Sequence, residues 1–93
     1  MPKFEWDPEK ARRNLNKHKI AFEDAVLVWS DPLHITRLDR TETDELRWQT
    51  IGTARGIVLI VVVHTYRTED VVRVISARKA TSVERRAYED GDD

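Results

Sequence analysis

The spacing of hydrophobic positions is helical in the first part of the chain. Apolar residues recur every three to four positions in "WDPEKARRNLNKH" and "FEDAVLVW", which predicts two helices joined into a helical hairpin. Asp7 supplies an N-cap for the first helix, and Pro8 takes its first helical position. In the second helix Phe22 and Trp29 share one apolar face, and a following Asp-Pro step ends it.

Beyond these helices the pattern alternates, as is typical of β-strands. Strands are predicted in "LHITRLD", "RWQTIGT", "IVLIVVVHTYR" and "VVRVISA", and the third is apolar on both faces, as a central strand is. "RTETDE" is predicted as a polar loop, and "ARG" at 54–56 as a tight turn that uses Gly56. A last helix is predicted over "TSVERRAYED", where Thr81 and Glu84 have capping-box spacing.

Together these elements predict one α+β domain over residues 1–93. A helical hairpin would pack on a four-stranded antiparallel meander sheet, a C-terminal helix would follow, and residues 90–93 would form a frayed tail. The chain has no cysteine, no recognisable secretory signal, and no apolar run near the ~20 residues that a membrane helix needs. A cytoplasmic protein without disulfides or membrane contact is therefore expected.

Charge is unevenly distributed although the net charge is only −1. Residues 21–46 carry two basic and seven acidic side chains, whereas residues 47–86 carry eight basic and three acidic ones. Seven of the eight basic residues are arginines, which suit bidentate contacts with phosphate. The basic half favours a polyanionic ligand, although a mixed solubilising surface explains it nearly as well.

Chemistry-bearing side chains concentrate in "VVVHTYRTEDVVRVISARKA", at residues 61–80. Alternation places His64 and Tyr66 on one face of the central strand and Arg67 on the other. A turn on Glu69–Asp70 alone would add Arg73 to the face of His64, whereas a three-residue turn would shift that register. Arg78 and Lys79 follow where the last strand ends.

These residue types suit RNA cleavage without a metal ion. The reaction needs a base for the 2′-hydroxyl proton, an acid for the leaving 5′-oxygen, and cations for the charged transition state. Histidine titrates near neutrality, arginine and lysine supply charge, and Tyr66 offers a proton or a stacking surface. Taken singly, each residue also has an ordinary structural explanation, such as a surface histidine or a packing tyrosine. No metal-ligand spacing, glycine-rich phosphate loop or nucleophile elbow accompanies them, so no metal or cofactor is expected.

Several blocks of the chain resemble the BrnT toxins, which are paired with BrnA antitoxins. The resemblance runs from Phe4 to Glu89 through "FEWDPEKARRNLNKHKIAFEDAVLVWSDP", "RWQTIG", "VVVHTYR" and "RVISARKATSVERRAYE". It implies a RelE-like fold and an endoribonuclease that arrests translation and growth. It also implies a ribbon-helix-helix antitoxin, an assembly of two toxins with two antitoxins, and operator DNA contacted only through the antitoxin.

The resemblance also implies where the active site lies. Its catalytic positions fall on His64, Tyr66, Arg67, Arg78 and Lys79. To these we add three candidate substrate-binding residues: Arg73, Arg47 and Trp48.

Two departures from the family pattern concern the helical hairpin. Lys19 stands where the family has a glycine in the left-handed conformation, and Ala21 stands where it has a Ser or Asp helix cap. Two functions remain open at this point. One is a metal-independent endoribonuclease toxin, and the other is a non-catalytic module that binds nucleic acid or a partner, such as a degenerate toxin acting as a co-repressor.

Overall fold

The computed structural model describes residues 1–42, 45–55 and 58–91. A short 3₁₀ helix (Val26–Ser30) follows the second α-helix directly. The remaining elements, in chain order, are β1 (Lys3–Glu5), α1 (Pro8–His18), α2 (Phe22–Ala25), β2 (Ile35–Glu42), β3 (Glu45–Ala54), β4 (Val58–Thr68), β5 (Val71–Lys79) and α3 (Ser82–Asp90).

The sheet has five strands in the order β1-β5-β4-β3-β2. Strands β2 to β5 form the predicted antiparallel meander, but β1 pairs in parallel with β5, from Lys3 opposite Val71 to Glu5 opposite Arg73. The prediction of a four-stranded antiparallel sheet is therefore wrong in strand number and in direction. The sequence did not reveal β1 because a strand of three residues shows no alternation. This strand forms only through pairing with residues far along the chain.

The helical hairpin is confirmed, with one change in its second half. Asp7 accepts a hydrogen bond from the Glu9 backbone, and Lys19 ends α1 with a left-handed φ of 62°, at a backbone cost of about 1 kcal/mol. Ala21 precedes α2 without a side-chain cap, as expected from its sequence. The second helix remains α-helical for only four residues and then tightens into the 3₁₀ helix.

Each face of the sheet carries a hydrophobic core. On what we call the α1 face, the helical hairpin covers the main core, in which Phe22, Ala25 and Val28 pack on Val62 and Val74. On the opposite face, called the α3 face, a smaller core of Ile51, Leu59 and Val61 packs with Tyr88. Gly52 allows the 3₁₀ helix to approach β3, because a Cβ there would lie 3.1 Å from the Val28 carbonyl oxygen.

Polar contacts anchor α3 at both of its ends. At the start, the predicted capping box is confirmed: the Glu84 amide donates to Thr81, and the Thr81 amide donates to the Glu84 carboxylate. Near the end, the Tyr88 hydroxyl donates to Asp31 Oδ2 at 2.7 Å, and the Thr53 amide donates to the same oxygen. Burial acts to raise the pKa of Asp31, but these hydrogen bonds outweigh it and lower the pKa.

Some predicted features lie partly outside the described residues. The turn at 54–56 includes Gly56, the loop at 40–45 includes residues 43 and 44, and the tail includes residues 92 and 93. Within the described chain, β2 and β3 extend into the predicted loop, and Gly91 caps α3 with a φ of 79°. None of the described helices is long and apolar enough to cross a membrane.

Candidate active site

His64 lies in a row of aromatic rings on the α1 face. Its ring centroid is 5.0 Å from that of Trp29 and 5.3 Å from that of Tyr66, and Tyr66 in turn lies 5.8 Å from Trp48. His64 is fully buried, and its Nε2 is hydrogen-bonded to Thr50 Oγ1 at 2.8 Å. Within the described structure its Nδ1 has no hydrogen-bond partner.

The environment of His64 keeps its imidazole neutral. Burial lowers its pKa to about 4, because a charged ring would lose its hydration and gain no carboxylate. The Thr50 hydroxyl is also hydrogen-bonded to Thr36 Oγ1 at 2.8 Å, so a short polar chain crosses β4, β3 and β2 beneath the aromatic rings. In this structure His64 supports its neighbours from inside the core and is not open to solvent.

Tyr66 and Trp48 carry the aromatic row out to the surface. Trp48 is directly opposite His64 in the pairing of β3 with β4, and Tyr66 follows two residues later on the same face of β4. Tyr66 is 45% exposed, while burial of the rest of the ring raises the pKa of its phenol. The row therefore ends in a partly exposed ring pair with a neutral hydroxyl group.

The pairing of β4 with β5 places Arg73 on the α3 face. Register shifts occur between Val63 and His64 and between Tyr66 and Thr68. As a result Arg73 lies opposite Thr65, whereas His64 lies opposite Val74. The grouping of Arg73 with His64 and Tyr66, which depended on an unshifted register, is therefore wrong.

Arg67 and Arg73 meet on a shared carboxylate. Arg67 lies in the bulge near the end of β4, and its Nη1 donates to Glu5 Oε2 at 2.7 Å. Arg73 Nη1 donates to the same oxygen at 2.8 Å. The N-terminal strand thus brings together two of the predicted site arginines, through a glutamate that sequence reasoning did not select.

A surface pocket joins Tyr66 and Arg67, although neighbouring residues on a strand point to opposite faces. This pocket, which we call the end pocket, has a volume of about 470 Å³. It lies where β3 and β4 extend beyond the helical hairpin, and it is lined by Glu45, Leu46, Trp48, Thr65, Tyr66 and Arg67. The end pocket combines a phenol, a guanidinium, an indole and a carboxylate.

Arg78 and Lys79 lie away from the end pocket. Arg78 donates two hydrogen bonds of 2.7 Å to the Glu84 carboxylate, a bidentate pair that lowers the pKa of Glu84 to about 2 and raises that of Arg78. Lys79 lies opposite Ile60, on the other face of the sheet, and lines a separate cavity of about 260 Å³. The structure thus distributes the predicted catalytic residues over both faces.

Further polar residues on the α3 face were not selected from the sequence. Arg37 Nε donates to Gln49 Oε1 at 2.7 Å, and Gln49 Nε2 donates to Asp39 at 3.3 Å. Gln49 lies two residues before Ile51, so alternation along β3 predicts that it shares this face. The weak pattern of β2 does not reveal its register, so the sequence does not show that Arg37 lies beside Gln49. The α3 face therefore carries arginines from three strands, which we call the arginine face: Arg37, Arg47, Arg73 and Arg78.

Side chains that bind metal ions do not cluster in the part of the chain that the structure describes. Within it, no group of three or more His, Cys, Asp or Glu side chains could hold one metal ion.

The sequence and the fold place the chain in a known class of small ribonuclease toxins. The sequence profile of the family described as "Ribonuclease toxin, BrnT, of type II toxin-antitoxin system" matches residues 6–84. The chain therefore belongs to the BrnT family. No curated protein matched it in a sequence search.

A solved structure supports the assignment. The chain is similar to the Brucella abortus ribonuclease toxin BrnT, known from a crystal structure at 1.1 Å resolution. The two share 27% sequence identity and superpose with a TM-score of 0.65, covering 88% of this chain and all of the Brucella protein.

Proposed function

We propose that this toxin is a metal-independent endoribonuclease whose active site is the end pocket. The observation that carries the proposal is the meeting of Tyr66 and Arg67 with Trp48 and Glu45 in one surface pocket. These side chains supply a proton donor, a fixed positive charge, a stacking surface and a proton acceptor. They are the components that RNA cleavage by the 2′-hydroxyl requires.

The proposed reaction is a transesterification, in which the 2′-oxygen of the RNA replaces the 5′-oxygen on phosphorus. Glu45 takes the proton of the 2′-hydroxyl as its oxygen bonds to phosphorus, and the bond from phosphorus to the 5′-oxygen breaks. Tyr66 gives its phenolic proton to that leaving oxygen, and Arg67 stabilises the negative charge on the phosphoryl oxygens. The products are a 2′,3′-cyclic phosphate and a 5′-hydroxyl, and Trp48 stacks on a base beside the cleaved bond.

In this proposal His64 is a positioning residue. It packs against Tyr66 from below and is fixed by Thr50, so it sets the orientation of the phenol. The expectation that His64 itself transfers a proton stays a prediction. Complete burial and a pKa of about 4 favour the supporting role, because a general base must reach the substrate.

The remaining predicted residues are assigned to RNA binding or to structure. Arg73 and Arg47, on the arginine face, would contact phosphates next to the cleaved one. Arg78 contributes charge to that face while its pair with Glu84 fixes α3. Lys79 lies on the α1 face, opposite the arginine face. A direct catalytic role for Lys79 therefore requires an RNA that crosses the edge of the sheet.

The test is incubation of purified toxin with RNA in EDTA, read on a denaturing gel and by end-group analysis. Fragments with 2′,3′-cyclic phosphate ends are expected from the wild type. An Arg67→Ala variant is expected to cleave on the order of a hundredfold more slowly, the size of effect seen when one charge-stabilising donor is removed. Cleavage that needs added divalent metal, or an unaffected Arg67→Ala variant, would contradict the proposal.

A non-catalytic binding module is the second candidate. The buried His64 and the Arg78–Glu84 pair favour it, since His64 is out of contact with solvent and the Arg78 guanidinium is already engaged by a carboxylate. Such a module retains RNA in a salt-dependent way without producing fragments. If the wild type leaves RNA intact, the same assay with translating ribosomes separates this candidate from a ribosome-dependent nuclease.

The toxin's partners belong to the same proposal. The family description names a toxin-antitoxin system, and we propose a BrnA-like ribbon-helix-helix antitoxin, two copies of each chain per complex, and operator contact through the antitoxin alone. A RelE-like mode of translation arrest in the cytoplasm is likewise proposed. Co-expression followed by light scattering on the purified complex measures the stoichiometry, and a complex of any other composition would contradict it.

A further inference from the structure

A cationic groove lies outside every residue assigned above. It runs between α1 and β5 and has a volume of about 300 Å³. Its walls are formed by Lys10, Arg13, Lys17 and His18 from α1 and by Ile75 and Ser76 from β5. Lys10 and Lys17 are seven residues apart, so the charges extend along about 10 Å of helix at ~1.5 Å per residue.

The charged side chains of this groove have no partners among the residues that the structure describes. Over residues 1–42, 45–55 and 58–91, no salt bridge or hydrogen bond engages the side chains of Lys10, Arg13, Lys17 or His18. By contrast Arg12, on another side of the same helix, pairs with Glu9. Most other arginines with described partners are also paired with a carboxylate, as in the pairs of Arg55, Arg67, Arg78 and Arg86.

Helix stability does not account for this arrangement. Lys17 and His18 lie in the last turn of α1, where the negative end of the helix dipole favours cations. Lys10 lies near the first turn, where the dipole disfavours a positive charge, and Arg13 lies between the two ends. In a helix selected for stability alone, acidic residues such as Glu9 would occupy the first turn.

The floor of the groove is closed to an added β-strand. Strand β1 pairs only with Val71–Arg73, so among the described residues β5 has no strand neighbour on this side from Val74 onward. The Asn14 amide occupies that edge instead. Its Nδ2 donates to the Ala77 carbonyl at 3.0 Å, and its Oδ1 accepts from the Ala77 amide at 3.1 Å. An extended peptide would have to displace this buried pair of hydrogen bonds.

We propose that this groove is a second RNA-binding site, which holds backbone phosphates of the substrate at a distance from the cleaved bond. The proposal rests on the proposed ribonuclease function and adds a binding surface to it. Ile75 and Ser76, in the groove, lie on β5 between Arg73 and Arg78. An RNA strand leaving the arginine face across the free edge of β5 therefore enters the groove directly.

An RNA backbone fits the groove better than an acidic protein segment does. Long, exposed lysine and arginine side chains along one side of a helix neutralise a regularly charged backbone without reading its sequence. Asn14 disfavours a strand-forming peptide. A helical peptide would need a continuous apolar stripe to pack on, whereas among the described residues that line the groove only Ile75 is aliphatic.

The experiment compares two variants with equal loss of charge. Arg13→Gln/Lys17→Gln removes two cations from the groove, and Arg85→Gln/Arg86→Gln removes two exposed cations from α3, on the opposite side of the sheet. Glutamine retains helix propensity in both and removes the charge with the same kind of truncation at each pair of positions. The probe is a fluorescent 2′-O-methyl oligoribonucleotide of about 16 nucleotides, whose blocked 2′-oxygen prevents cleavage, beside one of about 4 nucleotides.

Affinity is measured by anisotropy over a range of salt concentrations. For the groove variant, the slope of log K against log salt with the long oligonucleotide should become shallower by about 1.4, because each lost phosphate contact on a single strand contributes about 0.7. The control variant should keep the wild-type slope. Neither variant should change cleavage of a short 2′-hydroxyl substrate that reaches only the end pocket.

Two other outcomes overturn the groove proposal, and a third overturns only the proposed function on which it rests. Equal slopes for the two variants would show a net-charge effect or no effect, not a groove. Unchanged RNA binding together with weakened antitoxin binding would make the groove a protein-binding surface. If the wild type binds the long oligonucleotide through the groove but cleaves no 2′-hydroxyl RNA, the proposed function fails while the groove stands.

Discussion

Arg67 and Arg73 donate hydrogen bonds to the same oxygen of Glu5, at 2.7 and 2.8 Å. The two arginines come from the bulge in β4 and from β5, and Glu5 comes from β1, so a three-residue strand fixes both guanidinium groups. Their side chains remain 59% and 37% exposed. One carboxylate cannot neutralise two cations, and the cluster therefore keeps a net positive charge that faces solvent.

Glu5→Gln should separate RNA binding from cleavage. Removing the carboxylate leaves two positive charges on the surface, so the toxin should bind RNA more tightly and its KM should fall. The variant should also lose orientation of Arg67, and kcat should fall on the order of tenfold or more. Steady-state kinetics on a fluorogenic oligoribonucleotide measures both constants.

Glu69→Gln provides the matched control for that experiment. Glu69 is exposed in the turn between β4 and β5, and its removal changes net charge by the same amount. The control should lower KM slightly and leave kcat unchanged. Equal kinetics for the two variants would mean that Glu5 acts only through net charge and does not position Arg67.

Tyr66→Phe should slow cleavage of ordinary RNA by a factor of about 10² to 10⁴, the usual contribution of general acid catalysis. The phenyl ring keeps the contacts with His64 and Trp48, so RNA binding should be unchanged. A substrate with sulfur in place of the leaving 5′-oxygen needs no proton from the enzyme. Cleavage of this 5′-thio substrate by Tyr66→Phe should therefore approach the wild-type rate.

Tyr88→Phe is the control for a phenol lost elsewhere. It removes the hydrogen bond to Asp31 and should lower the stability of α3 without changing the ratio of rates on the two substrates. If Tyr66→Phe is equally slow on oxygen and sulfur leaving groups, Tyr66 positions the RNA and does not act as the acid.

Local signals in the sequence predict much of this fold. The N-cap at Asp7, the capping box of Thr81 and Glu84, and the apolar period of the central strand are all short-range patterns, and each is confirmed. β1 shows no such pattern, because three residues cannot display alternation and the strand exists only through pairing with β5. The 3₁₀ continuation of the second helix likewise depends on its packing against β3.

The candidate site is predictable in residue type but not in placement. Tyr66, Arg67 and Trp48 were selected from the sequence and meet in the end pocket. Arg73 changes face because of the bulges in the pairing of β4 with β5, and a sequence pattern does not locate bulges. The burial of His64 depends on Trp29, which the 3₁₀ helix places above it. Glu5 orients Arg67 and Arg73, and Glu84 orients Arg78. A sequence pattern does not reveal these contacts.

Glu84→Gln should destabilise the fold by about 2 kcal/mol, measured as a lower urea midpoint with an unchanged slope. The change removes the negative charge of the Glu84 carboxylate, which is largely buried and accepts two hydrogen bonds from Arg78. It also weakens the capping box. Arg78 is one-third exposed, which limits the loss because water can still reach it.

Glu89→Gln is the comparison variant for Glu84, since Glu89 is an exposed glutamate on the same helix. It should change stability by less than about 0.5 kcal/mol, as surface substitutions usually do. Similar losses for the two variants would mean that the charge of α3, and not the Arg78 pair, determines its stability.

The pKa of His64 should make the stability of the toxin depend on pH between about 4 and 6.5. The unfolded chain binds a proton at His64 near pH 6.5, whereas the folded chain does so only near pH 4. Stability should therefore be complete above pH 6.5 and fall by about 3 kcal/mol as the pH drops toward 4. Glu84 loses its own contribution at lower pH, between its ordinary value of 4.5 and about 2, so the two windows overlap only near pH 4.

Urea unfolding of the wild type and of His64→Gln across this range measures the effect. Glutamine keeps a polar group near Thr50 but does not titrate, so the variant should be less stable at neutral pH and nearly independent of pH from 6.5 to 4.5. The two curves should converge as the pH falls, because protonation of His64 in the unfolded chain lowers the stability of the wild type and not that of the variant. Parallel curves would show that His64 binds its proton at the same pH in the folded toxin as in the unfolded chain. Its buried position would then have to open to solvent, and a direct proton-transfer role for His64 would regain support.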